Sequence, residues 1–290
     1  MFTGVITALV TPFRDGRVDE EALRKLVENQ IGSGVDGLVP CGTTGESATL
    51  DFHEHVRVIE IVVEETRKRV PVIAGTGGNS TREAIELSRA AKDAGADGML
   101  QVTPYYNKPT QDGLFRHFKA ICEEVSLPAI VYNVPGRTAC DLLPETVERL
   151  CQIDDIVGIK EATGSAARAA QIIARVGDRL PVLSGDDATA FPLYALGGKG
   201  CISVVSNVAP GDVSAMWDAA AAGNWDAARA FHYKLFALSE GLFVESNPIP
   251  LKAALAMMGR LSEELRPPLY PLGDKHRPGL RKILTDLGLL

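Results

Sequence analysis

Eight short β-rich segments recur along the chain at intervals of roughly 20 to 35 residues, with stretches of helical spacing between them. The β-rich segments cover residues 5–10, 37–40, 70–75, 98–103, 129–134, 157–161, 182–184 and 201–205, and the helical patterns cover 20–31, 53–69, 81–94, 113–125, 144–151 and 166–176. Alternation of this kind builds a parallel sheet. Eight repeats in this length close into a TIM (β/α)8 barrel rather than spreading into an open doubly wound sheet. The strands are apolar on both faces, as a sheet covered by helices requires. After Ser206 the strand signal stops, and helical patterns run from 213 to 290, broken by Pro248, Pro250, Pro267, Pro268, Pro271 and Pro278. No Ser/Gly-rich linker or low-complexity tract intervenes. The expected organisation is an α/β barrel over 1–225 with a C-terminal helical extension, 226–290, of the same domain.

Of the 290 residues 46% are hydrophobic, enough for a substantial core. Thirty basic against thirty-seven acidic residues leave a net charge of −7, and no basic cluster exceeds Arg67-Lys68-Arg69. That balance argues against nucleic acid or an anionic membrane as a partner. The uncharged run 1–13 has no basic leader, contains Thr3, Gly4, Thr7 and Thr11, and reads as a strand rather than a signal peptide. No other uncharged stretch reaches the roughly 18 residues that span a bilayer. Five cysteines with no CxxC pair suit reduced thiols, hence a cytoplasmic location.

In a TIM barrel the site forms where the strands end, so polar clusters there carry most weight. They are Cys-Gly-Thr-Thr-Gly-Glu (41–46), Thr-Pro-Tyr-Tyr-Asn (103–107), Tyr-Asn-Val-Pro-Gly-Arg-Thr (132–138), Ile-Lys-Glu-Ala (159–162) and Ser-Gly-Asp-Asp (184–187). Lys160 stands apart from the other lysines because it lies within an apolar strand. Period-two alternation puts it on the face of Gly158 and Ala162, opposite Val157 and Ile159, so it points into the barrel if the bulky pair faces the helices. Burial there disfavours the ammonium and frees the amine to attack a carbonyl. The rival reading is a core lysine paired with a carboxylate.

Tyr132 shares its strand face with Ile130 and is either an aromatic filler or a phenol that shuttles protons at the same mouth. Gly42-Thr43-Thr44-Gly45 offers hydroxyls and backbone N–H groups suited to a small carboxylate, though the same residues make an ordinary turn. Arg137 is either a bidentate clamp for a second carboxylate or a solvated loop arginine. His53-Glu54-His55 lacks the HExxH spacing, so no metal is expected. Gly75-Thr-Gly-Gly and Gly197-Gly-Lys-Gly match no phosphate-binding fingerprint and are expected to be turns. Asp186 and Asp187 are read as satisfying loop hydrogen bonds.

Taken together and in this order, the 41–46 stretch, Tyr105-Tyr106, the 132–138 stretch and Val157-Gly-Ile-Lys-Glu161 resemble the dihydrodipicolinate synthase and N-acetylneuraminate lyase family over essentially the full chain. The resemblance implies a class I lyase in which Lys160 forms a Schiff base with pyruvate. It implies a proton relay of Tyr132, Thr43 and Tyr106, with Tyr106 reaching across a subunit interface in a homotetramer built as a dimer of dimers. Thr44, Ile202 and Gly185 would hold the pyruvate region, and Arg137 the carboxylate of L-aspartate 4-semialdehyde. No metal or organic cofactor is implied. Ser47, Ala48, His55, Asn79, Glu83 and Tyr105 match positions of an allosteric lysine site, but Phe52 stands where strongly inhibited members carry a histidine, so weak or no lysine binding is expected. Two rivals remain: a sister aldolase acting on sialic acid or a 2-keto-3-deoxy sugar acid, and a noncatalytic small-molecule binding protein on the same fold.

Overall fold

A computed structural model describes residues 2–290. The recurring apolar segments form eight parallel strands: β1 (Gly4–Ala8), β2 (Gly37–Val39), β3 (Ile73–Gly75), β4 (Gly98–Val102), β5 (Ala129–Asn133), β6 (Ile156–Glu161), β7 (Val182–Ser184) and β8 (Gly200–Ser203). Their hydrogen-bonded order is β2-β1-β8-β7-β6-β5-β4-β3. The two ends meet through a bridge between Leu38 and Val72. Backbone bonds from Leu38 N–H to the Pro71 carbonyl (3.0 Å) and from Gly75 N–H to the Pro40 carbonyl (2.9 Å) complete the seam. The sheet is thus the expected TIM barrel, with no free edge.

Strand alternation sorts the apolar side chains into two cores. Ile6, Ala8, Val39, Ile73, Leu100, Ile130, Tyr132, Leu183 and Ile202 pack inside the barrel. Val5, Leu38, Ala74, Met99, Val131, Ile159, Val182 and Cys201 join the larger core under the helices. Residue 160 therefore faces inward, beside Tyr132 and Leu183 in register. Gly158, on the same face, leaves 3.6 Å between the Cβ it lacks and Ile130.

Five of the helices around the barrel begin at a polar side chain that caps them. Asp19 caps Glu20–Gly32, Asp51 closes a capping box with Glu54 on Phe52–Thr66, and Ser80, Thr110 and Ser165 cap Thr81–Asp93, Gln111–Val125 and Ala166–Val176. Several boundaries move from those expected. The helix expected over 53–69 stops at Thr66 because Arg67 and Lys68 take positive φ (49° and 60°). The strand expected over 70–75 starts only at Ile73, and the one expected over 201–205 ends at Ser203, ahead of a 3₁₀ turn at Val205–Asn207. The helix Ala190–Ala195 and the hairpin of Phe13–Arg14 with Arg17–Val18 are too short to show a period.

Beyond β8 the chain forms Pro210–Ala221, Trp225–Gly241, Ile249–Met257 and Arg277–Asp286. Pro250 and Pro278 do not break these helices as expected. Each sits in a first turn, where the missing N–H costs no intrahelical bond. The run from Gly75 also corrects the expectation of a simple turn, whereas Gly197 does lie in one. Gly75 ends β3, and a Cβ there would fall 2.3 Å from the Cys41 carbonyl oxygen; one on Gly77 would fall 2.3 Å from Val102 N. These glycines permit close backbone approach. Among the described residues no helix is long and apolar enough to cross a membrane.

Candidate active site

Lys160 is the fifth residue of β6 and only 5% exposed. It enters none of the ion pairs formed among the described residues. Its neighbour Glu161, on the opposite strand face, turns away: its carboxylate accepts from Asn133 Nδ2 (3.1 Å) and from Thr163 N–H (2.7 Å). What lies beside the Lys160 ammonium is the π face of Tyr132, with Nζ 4.3 Å from the ring centroid. The reading of a core lysine paired with a carboxylate therefore does not fit Lys160.

That reading does fit a second lysine, Lys252, which sequence reasoning missed. Lys252 is 0% exposed, ion-paired with the buried Glu46, and holds Nζ 4.1 Å from the Phe13 ring centroid. Burial lowers its pKa to about 8, against the opposing pull of Glu46. Lys252 is the one polar residue of the helix Ile249–Met257, and a helix apolar all round is a buried one, which is the signal the sequence offered.

The side chains proposed from sequence gather at the C-terminal ends of the strands. Tyr132 is the fourth residue of β5, buried and aligned with Lys160. Ile202 lies on β8 in the same interior cluster as Tyr132. Gly185 directly follows β7, and its role is visible as packing: a Cβ there would fall 2.9 Å from Lys160 Cε, 3.0 Å from Lys160 Cγ and 2.6 Å from Ala162 Cβ. Only glycine leaves the Lys160 stem its channel.

Thr43 and Thr44 form a 3₁₀ turn just after β2, Thr43 half-buried and Thr44 buried. Thr11 Oγ1 ties this turn to β1's exit by donating to the Gly45 carbonyl (2.7 Å). Asn247, a residue not singled out from sequence, donates from Nδ2 to Thr44 Oγ1 at 3.0 Å, and its backbone carbonyl accepts from Arg137 at 3.3 Å. Because Thr44 Oγ1 accepts here, its own proton remains free to donate. Arg137 is exposed, on the short helix Pro135–Thr138 after β5. Tyr106 is 89% exposed at φ 74° and makes a 3.4 Å bond from its N–H to the Thr138 carbonyl.

Asp187 is half-buried and accepts from Ser203 Oγ (2.5 Å), Val204 N–H (2.8 Å) and Val205 N–H (3.2 Å). Burial pushes its pKa up, opposed by those bonds. Asp186 accepts from Thr189 N–H at 2.9 Å. Both do what the sequence reading gave them, satisfying loop hydrogen bonds. A further network joins the mouths of β5 and β6: Asn133 also donates to Asp141 (3.0 Å), which Arg168 grips through two bonds of 2.8 and 2.9 Å. The Arg168 bond holds the Asp141 carboxyl below its ordinary range.

Of the residues matched to a lysine site, Asn79 Nδ2 donates to the Tyr105 carbonyl at 3.2 Å, bringing those two loops together. His55 is buried and bonded through Nε2 to the Gly75 carbonyl (2.7 Å), with its pKa lowered by burial. Ser47 and Ala48 lie on the 3₁₀ turn Ser47–Thr49, Glu83 is exposed in the first turn of Thr81–Asp93, and the Phe52 ring is 48% exposed.

A model of the Dihydrodipicolinate synthetase family matches residues 1–287. The chain is 58% identical, over the whole of both chains, to a 4-hydroxy-tetrahydrodipicolinate synthase of Geotalea uraniireducens. It superposes at a TM-score of 0.98 and 50% identity, over the whole of both chains, on a chloride-inhibited dihydrodipicolinate synthase from Acinetobacter baumannii complexed with pyruvate. A dihydrodipicolinate synthase from Cyanidioschyzon merolae with lysine bound matches at a TM-score of 0.97 and 40% identity, covering 100% of this chain and 99% of that one.

The Gly185 contact is open to a direct check. Gly185→Ala is expected to cost about 1–3 kcal/mol in denaturant unfolding, the usual penalty for overpacking. Adding Ala162→Gly is expected to recover part of the loss, because it removes the shorter of the contacts. An unchanged midpoint in Gly185→Ala would show that Lys160 has room to spare.

Proposed function

The chain belongs to the dihydrodipicolinate synthetase family, and we propose that it catalyses the 4-hydroxy-tetrahydrodipicolinate synthase reaction, condensing pyruvate with L-aspartate 4-semialdehyde in diaminopimelate and lysine biosynthesis. It is a lyase of the Schiff-base type. The observation that carries the reading is Lys160: a buried amine with no anionic partner, on the inner face of a barrel strand, over the Tyr132 ring.

The Lys160 amine adds to the pyruvate keto carbon, and the carbinolamine loses water to give an imine. A methyl proton then leaves, forming the enamine, whose terminal carbon attacks the aldehyde. The amino group of the second substrate adds to the imine carbon, closing the ring and expelling Lys160 as a free amine. Tyr132, with Thr43 and Tyr106 behind it, carries the protons of these steps. Thr44 donates its hydroxyl proton to the pyruvate carboxylate, an orientation favoured by the Asn247 bond to its oxygen. Ile202 and Gly185 wall the pyruvate region, and Arg137, steadied by the Asn247 carbonyl, receives the second carboxylate. The covalent bond that holds pyruvate is to Lys160 itself, so these steps assign no role to a metal or organic cofactor.

Tyr106 supports an assembly. An aromatic ring that is 89% exposed on a backbone at φ 74° is costly to maintain in a lone chain. A dimer in which Tyr106 enters the neighbouring site, doubled into a homotetramer, gives that ring a partner. Phe52 and the bonded His55 support weak or absent binding of lysine at the neighbouring loops. The five cysteines, all free thiols, support a cytoplasmic home.

Initial rates with pyruvate plus L-aspartate 4-semialdehyde are expected to exceed cleavage of N-acetylneuraminate or 2-keto-3-deoxygluconate; the reverse order would overturn the reading in favour of a sister aldolase. Sedimentation equilibrium is expected to give a tetramer and an L-lysine titration to leave the rate nearly unchanged. A monomer with full activity would refute the role of Tyr106, and strong inhibition would refute the reading of Phe52.

A further inference from the structure

We infer that the Lys252–Glu46 pair is a positioning device that fixes the Thr43–Thr44 turn for proton transfer at the pyruvate methyl group. The inference rests on the function proposed above. Glu46 follows Thr44 by two residues and joins the turns Thr43–Gly45 and Ser47–Thr49 in the left-handed conformation, φ 56° and ψ 37°. A glutamate adopts that backbone only when its surroundings impose it.

What imposes it comes from the C-terminal helical part of the chain. The Glu46 carboxylate pairs with Lys252 Nζ and accepts from Arg266 N–H at 3.0 Å. Lys252 also donates to the Glu264 carbonyl at 2.9 Å, and Arg266 donates to the Thr49 carbonyl at 3.0 Å while pairing with Glu54. The Phe13 ring takes both cations, with Lys252 Nζ at 4.1 Å and the Arg266 guanidinium carbon at 4.4 Å. Asn247 then reaches Thr44 itself. The turn bearing the hydroxyls is thus held from below by the ion pair and from the side by the amide.

Stability alone does not explain this construction. A buried ion pair stabilises no better than an apolar pair of the same shape, because both charges lose their hydration. What the pair supplies that an apolar pair does not is direction: a carboxylate with fixed donors holds Glu46, and hence Thr44 and Thr43, in one backbone arrangement. Lys160 and Tyr132, on β6 and β5, do not depend on it. Imine formation and the later proton transfer should therefore separate when the pair is removed.

The experiment is made on the full chain with Glu46→Gln/Lys252→Met, which removes both charges together, and with the milder Glu46→Gln. Two quantities are read with pyruvate alone, at concentrations that saturate each variant: the yield of borohydride-trapped imine, and the rate of deuterium uptake into the pyruvate methyl group in D2O, followed by NMR. The expected result is an imine yield equal to that of the unmodified chain, with deuterium uptake slowed roughly tenfold to a hundredfold, the scale of a small misplacement of a reacting group. If the double variant does not fold, the same comparison on Glu46→Gln decides. Uptake within twofold of the unmodified chain in a folded variant would overturn the inference, as would imine yield and uptake falling in parallel. Absence of a trapped imine in the unmodified chain would instead count against the proposed function.

Discussion

A lysine ammonium is seldom buried without a carboxylate, and the barrel of this chain is arranged around one that is. Strand alternation turns Lys160 inward and Glu161 outward, so the nearest acid in sequence is spent on Asn133 and Thr163. Glycine at 185 leaves the space that the lysine stem occupies. Tyr132 lines the adjacent strand in register and offers only its ring. The amine is left buried and without an anionic partner, the placement that the proposed carbonyl attack uses.

The contrast with Lys252 sharpens the point. Both lysines are buried and both lie over an aromatic ring, yet Lys252 has Glu46 and the Glu264 carbonyl as partners. One lysine is free for chemistry and the other is fixed in structure. The segment that carries Lys252 also carries Asn247, so the C-terminal helical part of the chain reaches into the barrel mouth at Thr44 and Arg137. The mouth is completed by residues some 200 positions away in sequence from the turn they steady.

Much of this is legible in the amino-acid sequence. The eight-fold repeat pointed to the barrel, because eight strand–helix units in this length favour closure over an open doubly wound sheet. The inward direction of Lys160 followed from period two along one strand, whereas the partners of Asp186 and Asp187 could not be read from their place after β7. The illegible features share one cause, dependence on contacts distant in sequence. Asn247 looks like an ordinary turn residue until Thr44 and Arg137 are beside it. Nothing local to Lys252 names Glu46 as its partner. Pro250 and Pro278 read as breakers because a first-turn proline and an interior proline differ only in where the helix begins. Arg67 and Lys68 extend a helical pattern that their backbone then ends.

The central claim, that Lys160 is the amine that captures pyruvate, is tested most directly by mapping where pyruvate attaches. The chain is treated with pyruvate and borohydride, its intact mass is measured, and the modified peptide is sequenced by mass spectrometry. The account predicts one pyruvate-sized adduct per chain, on Lys160, absent from Lys160→Ala, with Lys252 unmodified. An adduct on Lys252, or none on the folded chain, would contradict it.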